Sequence, residues 1–296
     1  MPEDDHGSEA TLPNVSTDVE LLVVSFASAD VITELLRSVE ATAPEISVAV
    51  REHGDAVAYS QLRRSTDGYR GALRLEHDPT NPGFGAGCNA LAAGSSARWL
   101  AFVNPDTELV AWPWDPQHPP PGDTIVGPVI VGADDAADHY GRSYRLRDEI
   151  GRSWFRRRGR IPDGKGFVSG AALLIDSESF RRLGGFDEAY FLFYEDIDLC
   201  LRANAIGIAT VVDGAWQMRH RRAHSTSPRF AASLLWSYES AARFHRAHGS
   251  SAKGHQLYVL TDSVARALVH ALRGEGVRRA AYAALARRAG RDLVGG

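Results

Sequence analysis

The sequence predicts an α/β fold, in which a mostly parallel central sheet carries helices on both faces and a helical extension follows at the C-terminus. Apolar runs of strand length alternate with segments of helical periodicity through most of the 296 residues, an order that favours parallel strands joined by helices. The content of 44% hydrophobic and 24% charged residues is ordinary for a globular protein with a sizeable core. We expect a disordered acidic tail over residues 1–17, a large α/β domain over residues 18–226 and a helical region over residues 227–296.

The first half of the α/β domain shows this alternation most clearly. The continuous apolar run Leu21–Phe26 predicts a strand, and Asp30 is expected to cap a helix over Val31–Val39, whose apolar residues share one face. Prolines in and after Trp112–Pro116 predict a connecting loop. The other elements predicted before residue 132 are the strands Ile46–Val50, Ala72–Leu75, Trp99–Val103 and Thr124–Val131 and the helix Gly87–Ala97.

The second half is less regular. The segment His139–Gly166 is basic and glycine-spaced, which predicts a mobile loop over a cleft, and Ser169–Ala171 interrupts a strand predicted over Phe167–Ile175. Gly274 and Gly276 divide the last segment into two short helices. The remaining predicted elements are a helix with Ile197, Cys200, Leu201 and Ala205 on one face, the short strand Thr210–Val212, and a helix from Ser227–Pro228 to about His248.

Charge and cysteine usage exclude several classes of protein. A net charge of −4 and a pI near 6.3 argue against nucleic acid as a partner. Cys88 and Cys200 lie far apart in segments of helical pattern, which favours reduced, buried thiols. The N-terminus is acidic where a secretory signal is basic and then apolar, and no stretch reaches about 18 apolar residues. We therefore expect a cytoplasmic protein.

Three carboxylates stand among apolar and aromatic residues in the run Tyr190–Leu201. Glu195, Asp196 and Asp198 are so close that like-charge repulsion and desolvation raise their proton affinity. A general base or a cation site needs carboxylates of this kind. The alternative is an acidic helix start, since carboxylates in a first turn favour the helix dipole, and Asp198 fits that structural role.

Polar residues also follow predicted strands. Asn104 and Asp106 come directly after the strand Trp99–Val103, and Asp55 follows another strand. Because ligands bind at the carboxyl ends of parallel strands, Asp55 and Asp106 are expected to face one crevice. His220 stands in a basic segment suited to phosphate. A turn cap at Asp106 and an ordinary structural role for His220 remain the alternatives.

These segments, with the glycine-rich stretch Asn81–Asn89, make the chain resemble family 2 glycosyltransferases from about Glu20 to Ser225. The resemblance is greatest to the bacterial rhamnosyltransferases of cell-envelope polysaccharide assembly. It implies a GT-A-like, Rossmann-like fold for residues 18–226, a nucleotide diphosphate sugar donor, a divalent cation (Mn²⁺ or Mg²⁺) and inversion at the anomeric carbon.

The resemblance also implies roles for individual residues. Asp196 corresponds to the catalytic base that takes the acceptor hydroxyl proton, and Glu195 is its partner. Asp106 and His220 correspond to the groups that reach the metal or the diphosphate, and an imidazole favours Mn²⁺. The implied donor-binding residues are Ser25, Phe26, Glu52, Gly83, Phe84, Asn89, Asn104, Asp106 and Gly170. The implied acceptor-side residues are Gly185, Phe186 and Asp187.

The chain departs from the family pattern near the donor. Glu52 stands where relatives carry a base-reading aspartate, and Ser25-Phe26 stands where they often carry Thr-Tyr. By resemblance the preferred donor is dTDP-rhamnose. The alternatives are a UDP-sugar transferase, such as a galactofuranosyl or hexosyl enzyme, and a catalytically degenerate sugar-nucleotide-binding protein.

The family's usual acceptors, cell-envelope glycans or polyprenyl-linked sugars, imply peripheral contact with the inner face of the plasma membrane. Apolar residues after Thr261 are interleaved with arginines, a composition that suits helices lying on anionic lipid. Packing against the α/β domain accounts for the same pattern. The apolar residues in question are Val264, Leu268, Val269, Leu272, Val277, Tyr282 and Leu285.

Overall fold

The computed structural model describes residues 18–115, 117–131, 150, 166–220, 229–249 and 251–295. The tail expected over residues 1–17, nearly all of the loop expected over His139–Gly166 and the helix start expected at Ser227–Pro228 lie outside these ranges. The domain boundary expected at residue 226 also lies outside them and stays a prediction.

A sheet of eight strands forms the centre of the described fold. Its order is β3-β2-β1-β4-β7-β6-β8-β5. The first four strands in the chain pair in parallel, as do β6 and β8, whereas β7 is antiparallel to β4 and β6, and β5 is antiparallel to β8. The predicted α/β class is confirmed, and the sheet is mixed because β5 and β7 reverse direction. The strands are β1 Val19–Ser25, β2 Ser47–Glu52, β3 Leu73–His77, β4 Trp99–Val103, β5 Thr107–Ala111, β6 Thr124–Val131, β7 Ala172–Asp176 and β8 Ala209–His220.

Helices cover both faces of the sheet, because successive strand side chains point to opposite sides. Leu21 of β1 joins a core cluster with Leu35 on one face. The adjacent Leu22 joins a second cluster on the other face, with Leu91 and Leu199. The helices are α1 Ala29–Thr42, α2 Ala56–Thr66, α3 Phe84–Ala93, α4 Ser177–Arg182, α5 Glu195–Ala205, α6 Phe230–Ala247, α7 Ala252–Leu272 and α8 Gly276–Gly295.

Helix starts differ from the predicted ones. Ser28 precedes α1, so Asp30 lies in the first turn and does not cap the helix. The next predicted helix, α3, begins three residues before the predicted Gly87, because Gly83 takes a φ of 112° that ends the preceding loop there. No pattern in the sequence predicted α2. The Asp55 carboxylate accepts the N–H of Ala58 at 2.9 Å and caps α2, so the expectation that Asp55 faces the crevice is wrong.

The second half of the domain also differs from expectation. The predicted strand over Phe167–Ile175 is limited to β7, after the interruption at Ser169–Ala171. The twelve-residue β8 is longer than predicted and pairs with β5, which was not predicted. The buried face of α5 contains Leu199 and Cys200, as well as the polar Glu195 and Asp198, because the helix begins at Glu195 and turns these acids inward.

The C-terminal region forms three helices that pack on one another. Tyr238 of α6 shares a cluster with Leu285 and Ala289 of α8. Gly274 has a φ of 70° and separates α7 from α8, so the predicted interruption is confirmed, but the two helices have 21 and 20 residues and are not short. In the described part of the chain, no helix has the length and apolarity needed to cross a bilayer.

Candidate functional site

A cavity of about 450 Å³ opens at the carboxyl ends of β1, β2, β4 and β8. These ends share one edge of the sheet, which is where ligands of α/β proteins bind. The start of α3 and one side of α6 complete its wall. The predicted site residues that line the cavity are Ser25, Phe26, Gly83, Phe84, Asn104, Asp106 and His220.

Asp106 and His220 face each other in this wall. The Asp106 Oδ1 atom lies 3.3 Å from the His220 Nε2 atom, and the Asp106 side chain is only 4% exposed. Their approach follows from the sheet, since β5 begins directly after Asp106 and its first residue, Thr107, pairs with His220 in antiparallel register. The unpredicted strand β5 therefore brings together two residues that are far apart in the sequence.

The pair fits part of a divalent-cation site. Oδ1 of Asp106 is buried and has no hydrogen-bond partner among the described residues, which leaves it able to accept a ligand. One carboxylate oxygen and one imidazole nitrogen suit Mn²⁺ better than Mg²⁺. Within the described ranges, no group of three or more His, Cys, Asp or Glu side chains forms a metal cluster. A cation at Asp106 and His220 would therefore depend on the ligand and water for most of its coordination.

Glu52 has a different environment from the one expected. The side chain is completely buried, and its carboxylate accepts three hydrogen bonds, from Ser25 Oγ at 2.5 Å, Ala27 N at 2.8 Å and Gly54 N at 2.6 Å. Glu52 is not among the cavity-lining residues. Its carboxylate holds the ends of β1 and β2 together. The neighbouring His53 lines the cavity instead, and sequence reasoning missed it.

The proposed acid pair lies beside the cavity. Asp196 accepts the Gly170 N–H at 2.7 Å through Oδ2 and the Ile197 N–H at 2.8 Å through Oδ1. Two cavity-lining residues adjoin this pair: Phe193 lies two residues before Glu195, and Ser169 precedes Gly170, whose N–H binds Asp196. Glu195 is 4% exposed, and its Oε2 has no hydrogen-bond partner in the described chain.

The electrostatics separate the two acids. Burial raises the pKa of Glu195 well above its usual range, and the charge of Asp196 raises it further. Burial also raises the pKa of Asp196, but the N–H groups of Gly170 and Ile197 oppose that rise. Because only Asp196 has donors on both oxygens, we assign the proton to Glu195 and the negative charge to Asp196.

A strained segment precedes the acid pair. Phe193 and Tyr194 have φ values of 71° and 70°, a left-handed conformation that costs a non-glycine residue about 1–3 kcal/mol. Ser240 of α6 donates a hydrogen bond to the Leu192 carbonyl at 2.8 Å, and the ring of Phe244 lies 5.3 Å from that of Tyr194. Helix α6 therefore holds the segment that presents Glu195 and Asp196.

Asp198 has the structural role that the sequence favoured. Its carboxylate accepts from Arg202 Nε at 2.7 Å and lies 2.9 Å from His248 Nε2, which ties α5 to the end of α6. Arg202 also donates to the carbonyls of Leu183 and Gly185, at 2.6 and 2.8 Å. The loop at Gly185 is thus fixed to α5.

Asn89 and the proposed acceptor-side residues form one structural contact. Asn89 Oδ1 accepts the Phe186 N–H and its amide donates to the Phe186 carbonyl, both at 2.9 Å. Phe186 is 2% exposed within the second core cluster, and Asp187 pairs with Arg243 at 3.0 Å. None of these residues, nor Gly170, Glu195 or Asp196, is among the cavity-lining residues.

Sequence reasoning also missed cavity residues from the C-terminal region. The Arg229 guanidinium lies 4.2 Å from the centre of the Phe26 ring, and Ser233 and Trp236 of α6 form part of the wall. Their signal in the sequence was weak, because nothing in an amphipathic helix shows which polar or aromatic residue meets a distant strand. The basic residues 221–224 of the predicted phosphate site lie outside the described part of the chain.

No protein-family model matches the chain. Over 79 residues it is 37% identical to the N-acetylglucosaminyl-diphospho-decaprenol L-rhamnosyltransferase of Mycobacterium tuberculosis, a match that covers 27% of this chain and 26% of that protein. Over 78 residues it is 33% identical to rhamnosyltransferase WbbL of Escherichia coli strain K12, covering 26% of this chain and 30% of that protein. The match thus spans less than a third of either relative.

Two solved structures share the fold. GalNAc-T7 with UDP, GalNAc and Mn²⁺ matches with a TM-score of 0.54 and 12% identity, over 71% of this chain and 44% of that one. The mannosyltransferase PcManGT from Pyrobaculum calidifontis, in complex with GDP-Man and Mn²⁺, matches with a TM-score of 0.51 and 16% identity, over 93% of this chain and 87% of that one. The chain has the GT-A glycosyltransferase fold and resembles the family 2 rhamnosyltransferases.

Proposed function

We propose that the chain is an inverting, metal-dependent glycosyltransferase. It transfers a sugar, preferentially rhamnose from dTDP-rhamnose, to a cell-envelope glycan or a polyprenyl-linked acceptor. The observation that carries this proposal is the pairing of Asp106 with His220 in a cavity that has the buried Glu195 and the partly buried Asp196 beside it.

The donor diphosphate is assigned to the Asp106 and His220 end of the cavity. Asp106 Oδ1 and His220 Nε2 would hold a divalent cation, preferentially Mn²⁺. When bound, such a cation supplies positive charge that stabilises the leaving diphosphate. Both similar solved structures contain Mn²⁺ with a nucleotide or nucleotide sugar, which supports this assignment.

Asp196 is assigned as the general base. Its carboxylate takes the proton of the acceptor hydroxyl as that oxygen bonds to the anomeric carbon and the bond to the donor diphosphate breaks. The raised pKa makes Asp196 a stronger base than an exposed aspartate, and the Gly170 N–H keeps its carboxylate in one orientation. Glu195, assigned as protonated, keeps a second negative charge away from Asp196.

The choice of donor rests on the rhamnosyltransferase relatives, of which the matched segment spans less than a third. A UDP-sugar transferase is the alternative enzyme, and GalNAc-T7 with UDP supports keeping it. In the other alternative, a degenerate sugar-nucleotide-binding protein, the chain would bind a donor without turnover. A thermal-shift panel of dTDP, UDP and GDP sugars with Mn²⁺ ranks the donors, because a bound native ligand raises the apparent stability.

The decisive experiment is calorimetric titration of dTDP with and without Mn²⁺. We expect metal-dependent binding that weakens about tenfold or more in Asp106→Ala and in His220→Ala, with effects that do not add because both residues hold one ligand. His118→Ala is the matched control, since the His118 side chain is 75% exposed and lies outside the cavity lining. Unchanged affinity in both variants contradicts the site, and binding without donor turnover favours the degenerate protein.

A further inference from the structure

The outer side of α7 is apolar along most of its length. Leu257, Val264, Leu268 and Leu272 are 52%, 45%, 62% and 91% exposed. With the exposed Thr261 they recur every three or four residues, so they lie on one side of the helix. From Leu257 to Leu272 this stripe, which we call the α7 face, extends roughly 22 Å.

The charged residues of α7 that lie between these positions are turned away from the α7 face and are paired. Asp262 accepts from Arg266 Nε at 2.6 Å, and His270 Nδ1 lies 2.8 Å from Glu275 Oε2. The other exposed residues of α7 between Leu257 and Leu272 are Ala265, Val269 and Ala271. An exposed stripe of this length that is apolar except for Thr261 marks a candidate interaction site on a protein surface.

Basic residues lie at both ends of the α7 face. Exposed Lys253 lies at one end, and exposed Arg273 and Arg279 lie near the other, together with Arg278, which pairs with Glu275 at 3.4 Å. Residues 251–296 contain eight Lys or Arg and three Asp or Glu, a net charge of +5 in a chain whose net charge is −4. The region is therefore much more positive than the rest of the protein.

Apolar residues of α8 do not contribute to this surface as the sequence suggested. Leu285 is 6% exposed, and the ring of Tyr282 stacks on His270 at 5.3 Å. These two residues pack inside the helical region, which is the alternative that the sequence left open for the whole segment. Val277, in the first turn of α8 and five residues after Leu272, is an exception and is 80% exposed.

We propose that the α7 face docks on the surface of an anionic lipid bilayer. Its leucines and valines enter the boundary between headgroups and acyl chains, while Lys253 and the arginines near the turn contact the phosphates. Charge decides between occupants, because a second copy of the chain would bring two regions of net charge +5 together. Anionic lipid is complementary to both the apolar stripe and the charge.

This surface deepens the proposed function and rests on it for the lipid-linked acceptor. Helices α7 and α8 pack on α6, and α6 contributes Ser233 and Trp236 to the cavity wall. Helix α6 thus connects the α7 face to the cavity. Docking on the bilayer would hold the cavity near acceptors that are confined to the membrane.

The experiment is co-sedimentation of the full chain with vesicles of phosphatidylcholine, with and without phosphatidylglycerol. We expect salt-sensitive binding to the anionic vesicles only. In Leu268→Glu/Leu272→Glu the partition coefficient should fall about tenfold or more, since two apolar contacts are lost and two negative charges are added. Val57→Glu is the matched control, because Val57 is 62% exposed on α2, away from this surface.

Wild-type protein that stays in the supernatant at low salt overturns the proposal, as does a double variant that sediments as well as wild type. A wild-type dimer that becomes monomeric in the double variant, without vesicle binding, assigns the α7 face to a second copy and also overturns it. Calorimetry with dTDP on the same preparations tests the proposed function separately. Vesicle binding without dTDP binding leaves the docking surface supported and the donor assignment refuted.

Discussion

Glu52 and Asp106 are buried carboxylates at the same edge of the sheet, but their hydrogen bonding is opposite. Glu52 accepts hydrogen bonds from one hydroxyl and two backbone N–H groups. Asp106 Oδ1 has no hydrogen-bond partner in the described structure and faces His220 across 3.3 Å. Burial and position do not distinguish a structural carboxylate from one able to hold a ligand. The two kinds of carboxylate are distinguished by how many hydrogen-bond donors already contact the carboxylate oxygens.

Asp196 is an exception to the rule drawn from Glu52 and Asp106. Each of its carboxylate oxygens accepts one backbone N–H, yet we assign Asp196 as the base. Each carboxylate oxygen has a second lone pair, so one N–H on each oxygen still permits proton transfer. Asp196→Asn should lower turnover about a hundredfold to ten-thousandfold, with dTDP affinity kept. Single-turnover kinetics and calorimetry measure the two quantities. Asp55→Asn is the control, because Asn caps a helix about as well as Asp, and equal turnover in both variants removes Asp196 from the role.

Matched amide substitutions at Glu52 and Asp106 test whether the number of hydrogen-bond donors separates a structural carboxylate from a ligand-binding one. Glu52→Gln should lower the free energy of unfolding by about 1–3 kcal/mol, because an amide nitrogen replaces an acceptor facing buried donors. Asp106→Asn should leave it nearly unchanged or raise it, since the native oxygen has no donor to lose. Urea denaturation gives both values. Equal losses in the two variants would show that donor count does not separate the roles.

Glu195 predicts a pH dependence of stability. Its folded pKa is raised well above the usual 4.5, so its contribution is present below pH 4.5 and is lost as pH rises through the folded value. Glu195→Gln removes this titration while keeping the shape. At mildly alkaline pH the variant should melt about 2–4 °C above wild type, and the difference should shrink on acidification. Differential scanning calorimetry across pH checks this, and a constant difference would place the proton elsewhere.

The smallest expected effect belongs to the contact that supports the strained segment. Ser240→Ala removes the hydrogen bond to the Leu192 carbonyl, a contact worth about 1 kcal/mol. We expect kcat to fall about two- to tenfold while the KM for donor stays the same, because only the presentation of the acids changes. Ser240→Thr keeps the hydroxyl and should restore much of the rate. A proportional change in KM, or no rescue by Thr, would leave Ser240 with a purely structural role.

The sequence predicts those features of the structure that depend on neighbouring residues, and it does not predict those that depend on contacts between distant residues. Strands such as Trp99–Val103 were predicted with correct bounds because a continuous apolar run reports local burial on both faces. The helix over Val31–Val39 was predicted from the helical spacing of its apolar residues. The burial of both cysteines was predicted from the helical pattern of the segments that contain them. Local pattern was sufficient in each case.

The rest depended on contacts between distant residues. Nothing in the sequence near Glu52 shows that Ser25 and the two loop amides fill its acceptors. Likewise, β5 has no strong strand pattern and is ordered by pairing with β8. The assignment of Asn89 to the donor missed its hydrogen bonds to Phe186, far along the chain.

The pairing of β5 with β8 has a consequence for how the chain tolerates insertions. Side chains alternate along a strand, so one extra residue between Thr107 and Leu109 would either turn each later side chain of β5 to the opposite face or shift Asp106 away from His220. The indole rings of Trp112, Trp114 and Trp216 pack together where β5 ends, with ring centres 4.8 to 5.6 Å apart. They fix the end of the β5–β8 pair that lies away from Asp106 and His220. Length variation among relatives of this chain should therefore concentrate after Trp114, in the proline-containing connection to β6, where it leaves the spacing of the ligand pair intact.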